Sequence, residues 1–515
     1  MQDLDSNKRV RDQSFSRLIE VLIYFVVAIH LAANFLASPV VRYSYLAMCI
    51  LMISASLVLK PSKSIWLFVI FSLYEGQGRV VWGYASWARI IFDACLALSV
   101  LKSIIVTKKV WDRTTLPQYI NVLITMHFAW FVIEVFNPGG AGIFASIATA
   151  KFYIFPLLFF FFCLKSPLDI NDIKNQRKIM FILLNMFALA ILTIVQEVEK
   201  EAFMEAISSN YINLFRKYSL FQDYTFRPWG TSFVPGGMGI FYFMMIGFCF
   251  LLKPHIITKK QLNRYIISFL RVLTILLLFY SSFIGEVRSA TLKLAGILGV
   301  IVILRFLGTK YKFKKVVSLL AILSIGYFFS LRFSNTDLIA SLDIEHSIER
   351  WTSLADKGIT NQRGGLDQAL TWVGDRVDSP LGYGLGMTTN FLPAYNTRRK
   401  NMVGKTHNDF WNMDNFFVSL FLELGVGAFI FISMLVAIIV ALFSMSVRCL
   451  RMRKMSEFSV ISISAATTLL VFLGNWGATG LVYNPESFFF WFWVAFGFNQ
   501  YRSLSDFVGD DVTHK

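Results

Sequence analysis

Residues 415–446 read NFFVSLFLELGVGAFIFISMLVAIIVALFSMS, and Glu423 is their single ionisable side chain. An apolar run of that length is what a helix needs to cross the hydrocarbon core of a bilayer, about 20 residues sufficing. Immediately before it lies the one long polar passage of the chain, 332–414, and on both sides the sequence returns to apolar runs separated by short polar breaks. The totals agree: of 515 residues 56% are hydrophobic, 16% aromatic and 16% charged, with a mean hydropathy of +0.58. That composition excludes an ordinary soluble protein and identifies a polytopic all-α membrane protein. The formal charge of +17 does not point to nucleic acid, because the basic residues fall in short clusters between apolar runs, the pattern that orients membrane helices.

Working outward from 415–446, the apolar runs predict spans at 18–37, 42–60, 64–82, 84–106, 117–136, 142–164, 178–197, 234–252, 264–283, 286–305, 315–331, 415–446, 458–478 and 484–500. Glu75, Gln77 and Arg79 interrupt the third. Alternate connections carry the positive charge: Lys60/Lys63, then Lys102/Lys108/Lys109/Arg113, Lys165/Lys174/Arg177/Lys178, Lys253/Lys259/Lys260/Arg264, Lys310/Lys312/Lys314/Lys315 and Arg448/Arg451/Arg453/Lys454. These share a side with the basic N-terminus (Lys8, Arg9, Arg11, Arg17), read as preceding a retained first helix and not a cleaved signal peptide. Keeping the third span preserves the alternation, so the reading is about fourteen helices, twelve being the alternative count, with both termini cytoplasmic. The domain organisation follows: N-terminal helices over 1–331 with an outer loop at 197–233, a long outer loop at 332–414, and C-terminal helices over 415–515, all one integral-membrane domain. Within the long loop Leu366, Ala369, Leu370 and Val373 recur at helical spacing, as in an amphipathic helix at the membrane surface. Cys49, Cys95, Cys163, Cys249 and Cys449 fall inside or at the end of spans, so no disulfide framework or cysteine metal site is available in the outer loops.

Ionisable groups inside spans are expensive and commonly functional. Arg89 and Asp93 stand four apart, where they either pair with each other or serve a ligand. Lys151 lies in the outer part of its span, placed to snorkel or to bind phosphate. Glu286, Arg288 and Lys293 open a span at its outer end, where Arg288 is on the wrong side to orient the helix. In the first outer loop, Arg227-Pro-Trp-Gly230-Thr-Ser-Phe-Val-Pro235-Gly-Gly leads towards a helix, and Gly and Pro allow a tight re-entry there. Arg227, Arg288, Arg350, Arg363 and Arg376 thus put several guanidiniums on the external face, and arginine makes forked, charge-assisted contacts with phosphate oxygens. Gly382-Tyr-Gly-Leu-Gly386 lacks a following Lys-Ser/Thr, so it reads as a turn allowing close backbone approach and not as a nucleotide cradle. His30, His127, His346 and His407 have no metal-ligand spacing, and no metal or cofactor is expected.

The order of these motifs resembles the O-antigen ligase and Wzy polysaccharide polymerase superfamily. It comprises an outer-loop Arg-Pro-x-Gly, Arg288-Ser289 opening a later span, an outer loop with Arg363 and then Pro380-Leu-Gly-Tyr-Gly-Leu-Gly386, and a polar pair before Glu423-Leu-Gly425. The resemblance implies a GT-C-like inner-membrane glycosyltransferase of bacteria that uses undecaprenyl-diphosphate-linked glycans, without metal or nucleotide, among membrane lipids and beside a flippase and a chain-length regulator. It implies that Arg227 and Arg288 bind diphosphate, and Arg363, with ten residues between it and Gly374, fits the spacing of the polymerase's outer loops; Arg376, Arg89 and Lys151 are further candidate substrate-binding cations by their charge and placement. The sequence departs from the pattern in three places: Arg-Ser stands where the family commonly has Ser-Arg, Gly425 and Gly427 are two apart, and Asp414 occupies the position of the ligase histidine. His407-Asn408 has the family's letters seven residues earlier, so the base is Asp414 or His407. Asp414 is also well placed to cap the following helix. The missing histidine favours polymerisation of lipid-linked repeat units over ligation to lipid A core. A transporter of lipid-linked sugars is the alternative of another class, and it would call for two related halves with broken helices meeting near midplane.

Overall fold

The computed structural model describes residues 2–83, 85–107, 116–138, 140, 142–166, 168–213, 226–232, 237–285, 288–307, 380–386, 416–474 and 486–513. Helices account for nearly all of them: α1 (Gln2–Phe35), α2 (Val40–Val58), α3 (Pro61–Ser72), α4 (Glu75–Val81), α5 (Ser86–Thr107), α6 (Gln118–Val135), α7 (Ile143–Lys165), α8 (Ile173–Ile207), α9 (Met238–Leu251), α10 (Pro254–Ile257), α11 (Gln261–Ile284), α12 (Arg288–Leu307), α13 (Phe416–Leu424), α14 (Gly427–Arg451), α15 (Met455–Gly474) and α16 (Glu486–Thr513). Seven of the described helices, α1, α2, α6, α8, α11, α14 and α15, are long and apolar enough to cross a membrane. Several turn large apolar side chains outward, including Val21 and Phe25 on α1 and Leu262, Tyr265 and Phe269 on α11. Water would penalise such faces and lipid would cover them. The chain is an all-α membrane protein.

The chain divides into two compact units. The first comprises Met1–Val110, Lys165–Leu294 and Tyr311–Ile348. Here α1 packs on α2, α2 on α5, and α8, α9 and α11 pack on one another. A buried polar knot ties α1, α2 and α4: His30 Nδ1 lies 2.8 Å from Ser44 Oγ, His30 Nε2 lies 2.9 Å from Gln77 Oε1, and Asn34 Nδ2 donates to that oxygen at 3.1 Å. Buried polar groups persist inside an apolar bundle when they satisfy one another, as these do.

The second unit comprises Trp111–Leu164, Ala295–Lys310 and Glu349–Lys515. Its helices α14, α15 and α16 pack in succession, with α6 laid along α14. Gly427 permits the last contact, since a Cβ there would overlap the Trp130 ring.

Three expected spans take a different form. The third, 64–82, is two helices, α3 and α4, parted by a turn at Leu73–Tyr74. The expected 415–446 helix is broken into α13 and α14 at Gly425, whose φ of +52° ends the first helix. The outer loop expected at 197–233 begins later, because α8 continues to Ile207 with a break at Lys200, whose φ is +48°. Apolar periodicity resumes after that break through Phe203, Met204 and Ile207, all buried, and this keeps the chain helical past the polar Glu199-Lys-Glu201. The span expected at 315–331 and the amphipathic helix expected at 366–373 lie outside the described residues.

Candidate functional site

In the first unit the loop carrying Arg227 is anchored by one side chain of α8. Gln196, fully buried, accepts through Oε1 from the backbone N–H of Trp229 at 3.0 Å and of Gly230 at 2.7 Å, and donates through Nε2 to the carbonyl of Gly230 at 3.1 Å. A glutamine amide thus replaces the hydrogen bonds a buried irregular backbone would otherwise lack. Gly230 is required at φ +57°, and a Cβ there would collide with Met238 at the start of α9. Trp229 is buried edge-on against Tyr211, their rings 5.0 Å apart, and Thr231 Oγ1 donates to the carbonyl of Leu73. Arg227, half-buried, therefore projects from backbone that is held rigidly.

That loop leads towards α9, whose N-terminus at Gly237 has no side-chain cap and whose first turn has no acidic residue. A helix start is the positive end of the helix dipole. Lys293 of α12 is buried, with Nζ 5.0 Å above the ring of Phe243 on α9. Such a cation–ring contact offsets part of the loss of hydration. Arg288 is the first residue of α12. One unit of the molecule thus contains Arg227, the uncapped start of α9, Arg288 and Lys293.

In the second unit the glycine-rich turn docks by its backbone. The N–H of Tyr383 donates to the carbonyl of Leu422 at 2.7 Å, that of Gly384 to Glu423 at 3.1 Å, and that of Val426 to Pro380 at 2.8 Å. Gly382, Gly384 and Gly386 have φ of +64°, +85° and +86°. A Cβ on Gly382 would come within 2.7 Å of Gly425 N and Leu422 O. These glycines allow two turns to interlock, which is the close approach their spacing predicts. Beneath them lie Glu423, buried, whose Oε2 accepts from Tyr153 Oη at 3.2 Å, and Glu134, buried, whose Oε2 accepts from Asn137 Nδ2 at 2.9 Å. Asn137 Nδ2 also donates to Leu381 in the glycine turn at 3.1 Å.

Of the residues singled out from sequence, Arg227 and Arg288 fall together in the first unit, and Arg89 lies in the first turns of α5 in the same unit, four residues before the buried Asp93. Lys151 lies on α7 in the second unit, half-buried, with Nζ 5.2 Å above the Phe152 ring. Arg363, Arg376, His407 and Asp414 lie outside the described residues. His30 belongs to the polar knot, and His127 is buried between Phe131 and Phe431 at ring distances of 4.6 and 4.8 Å. Sequence reasoning named Lys293 and Glu423 but missed Gln196 and Glu134. The available signal was a polar residue near the end of an apolar run, which held for Gln196 and Glu134 alike. Among the described residues no group of three or more His, Cys, Asp or Glu side chains could hold a metal ion. Comparison of the chain with protein-family models, curated proteins and solved structures gives no match.

Proposed function

We propose that the protein is a glycosyltransferase that polymerises undecaprenyl-diphosphate-linked oligosaccharide repeat units at the periplasmic face of the bacterial inner membrane. The single observation that carries this reading is the cationic lip of the first unit: Arg227 on a loop pinned by Gln196, the helix start of α9 that this loop leads to, and Lys293 of α12 buried against Phe243 of α9. Cationic side chains at the edge of an apolar bundle suit an anionic headgroup, and a lipid diphosphate brings its own apolar tail. The motif order resembling the O-antigen ligase and polymerase superfamily supplies the chemistry. In this reading about fourteen spans form a GT-C-like body with both termini in the cytoplasm.

The acceptor sugar hydroxyl attacks the anomeric carbon of the donor glycan with inversion. The carbon–oxygen bond to the diphosphate breaks, and undecaprenyl diphosphate leaves with the electron pair. Arg227 and Arg288 stabilise the charge that grows on the leaving oxygens, and the hydroxyl proton passes to Asp414 or His407. Ligation to lipid A core would use the same parts with a different acceptor.

The test is the distribution of glycan in cells carrying Arg227→Ala or Arg288→Ala. Each variant is expected to lose polymer longer than one repeat while single lipid-linked repeats collect on the outer face. Collection on the cytoplasmic side would favour transport, and full-length polymer would refute the role of the arginines. Asp414→Asn beside His407→Ala identifies the base as the variant that loses polymer.

A further inference from the structure

Within the first unit α1, α3 and α8 meet at a junction where two lysines face one glutamate. Lys63 of α3 reaches across to α1, its Nζ lying 2.6 Å from Glu20 Oε1 and donating to Ser16 Oγ at 3.1 Å. That contact occupies the carboxylate. Lys178 of α8, half-buried, stands within electrostatic reach of Glu20, Lys63, Asp172 and Lys174, yet makes no hydrogen bond or ion pair of its own among the described residues. Asp172 is engaged as the cap of α8, accepting from the Lys174 N–H at 3.0 Å. Lys174 and Arg177 add two exposed cations in the first two turns of the same helix. Positive charge is therefore in excess at the junction, and the ammonium of Lys178 has donors to spare.

The helices that bring Glu20 and Lys178 together also form an apolar seam. Tyr24 stands four residues after Glu20 on α1, and Phe181 three residues after Lys178 on α8; their rings lie 4.5 Å apart. Spacings of three and four keep residues on one side of a helix, so the seam runs on from the charged junction by about one turn. Both rings are half-buried. Val21 and Phe25 on α1 and Leu184 on α8 are exposed, and both helices are long and apolar enough to cross a membrane. Lipid chains are the natural cover for such side chains.

We propose that Lys178 and Lys63 hold the phosphate of an anionic phospholipid at the junction of α1, α3 and α8, with its acyl chains along the Tyr24–Phe181 seam. Ammonium groups make charge-assisted hydrogen bonds to phosphate oxygens, and lysines at the end of a membrane helix attract anionic head groups. A free phosphate would use the charged end alone, whereas a phospholipid uses the junction and the seam together. The bound lipid ties α1 to α8, and the site does not depend on the glycosyltransferase reading.

The test uses the full chain, purified and delipidated in detergent, then titrated with phosphatidylglycerol, phosphatidylcholine or inorganic phosphate. Native mass spectrometry reads retention, and thermal unfolding reads stabilisation. The wild type is expected to bind phosphatidylglycerol at least about fivefold more tightly than phosphatidylcholine and to unfold at higher temperature with it, while inorganic phosphate has no effect. Lys178→Gln is expected to weaken phosphatidylglycerol binding about fivefold, the contribution of one lysine near an anionic surface. Lys63→Gln returns Glu20 to Lys178, is expected to weaken binding likewise, and serves if Lys178→Gln does not fold. Lys259→Gln, which removes an exposed cation between α10 and α11, is expected to leave binding unchanged. Equal affinity of the wild type for the two lipids overturns the proposal, as does wild-type affinity in Lys178→Gln, or in Lys63→Gln where that variant stands in. An equal loss in Lys259→Gln overturns it too, since total surface charge would then account for binding. Full stabilisation by inorganic phosphate overturns the assignment to a lipid.

Discussion

Gln196 spends its whole amide on two residues of a neighbouring loop, and its effect on Arg227 is out of proportion to its size. Replacing it by leucine roughly keeps the side-chain volume but removes the amide, leaving the N–H groups of Trp229 and Gly230 buried without acceptors. Each orphaned group costs about 1–3 kcal/mol. Gln196→Leu is therefore expected to lower the unfolding temperature and, by loosening the loop, to shorten polymer even with Arg227 intact. Thermal unfolding in detergent and the glycan ladder measure the two effects, and an unchanged ladder would separate loop rigidity from function. Arg227 was legible in the sequence because Arg-Pro-Trp-Gly is a local signal. Gln196 was not, because its role depends on a loop more than thirty residues away in the chain.

At the scale of elements, the α13–α14 corner and the 380–386 turn depend on glycine for conformation as well as for room. Gly425 has φ +52°, and a Cβ there would collide with the carbonyl of Pro380. Gly425→Ala is expected to destabilise the protein by at least about 1–3 kcal/mol, the usual cost of such backbone strain. Gly299 on α12 has open space around it and no positive φ, so Gly299→Ala is expected to be neutral or to stabilise by up to roughly 1 kcal/mol. Comparing unfolding temperatures of the two variants checks the argument, which fails if both shift alike. Hydropathy predicted one span across 415–446 because the two glycines at its break scarcely change the average. Only the turn packed against it requires the chain to bend there.

For the whole molecule, the alternation of basic connections predicts that Asn396 and Lys259 lie on opposite sides of the membrane. The described cysteines Cys49, Cys95, Cys163, Cys249 and Cys449 are all buried and free, so a cysteine introduced at either position is expected to give the dominant signal with an impermeant maleimide. Asn396→Cys is expected to react in intact spheroplasts, and Lys259→Cys only after permeabilisation. Labelling of both under the same condition would reverse the compartment in which the proposed reaction takes place.

The amino-acid sequence alone determined that the chain is helical and lives in a membrane, because apolar run length and loop charge are local quantities that the bilayer reads directly. It also determined the positions of Arg227 and Arg288 and the glycine turn as motifs. Only the tertiary structure decided which distant groups meet: Gln196 with the Trp229–Gly230 backbone, Lys293 with Phe243, and Tyr153 with Glu423. The physical reason is that a buried polar atom finds its partner across helices, where separation along the chain says nothing about separation in space.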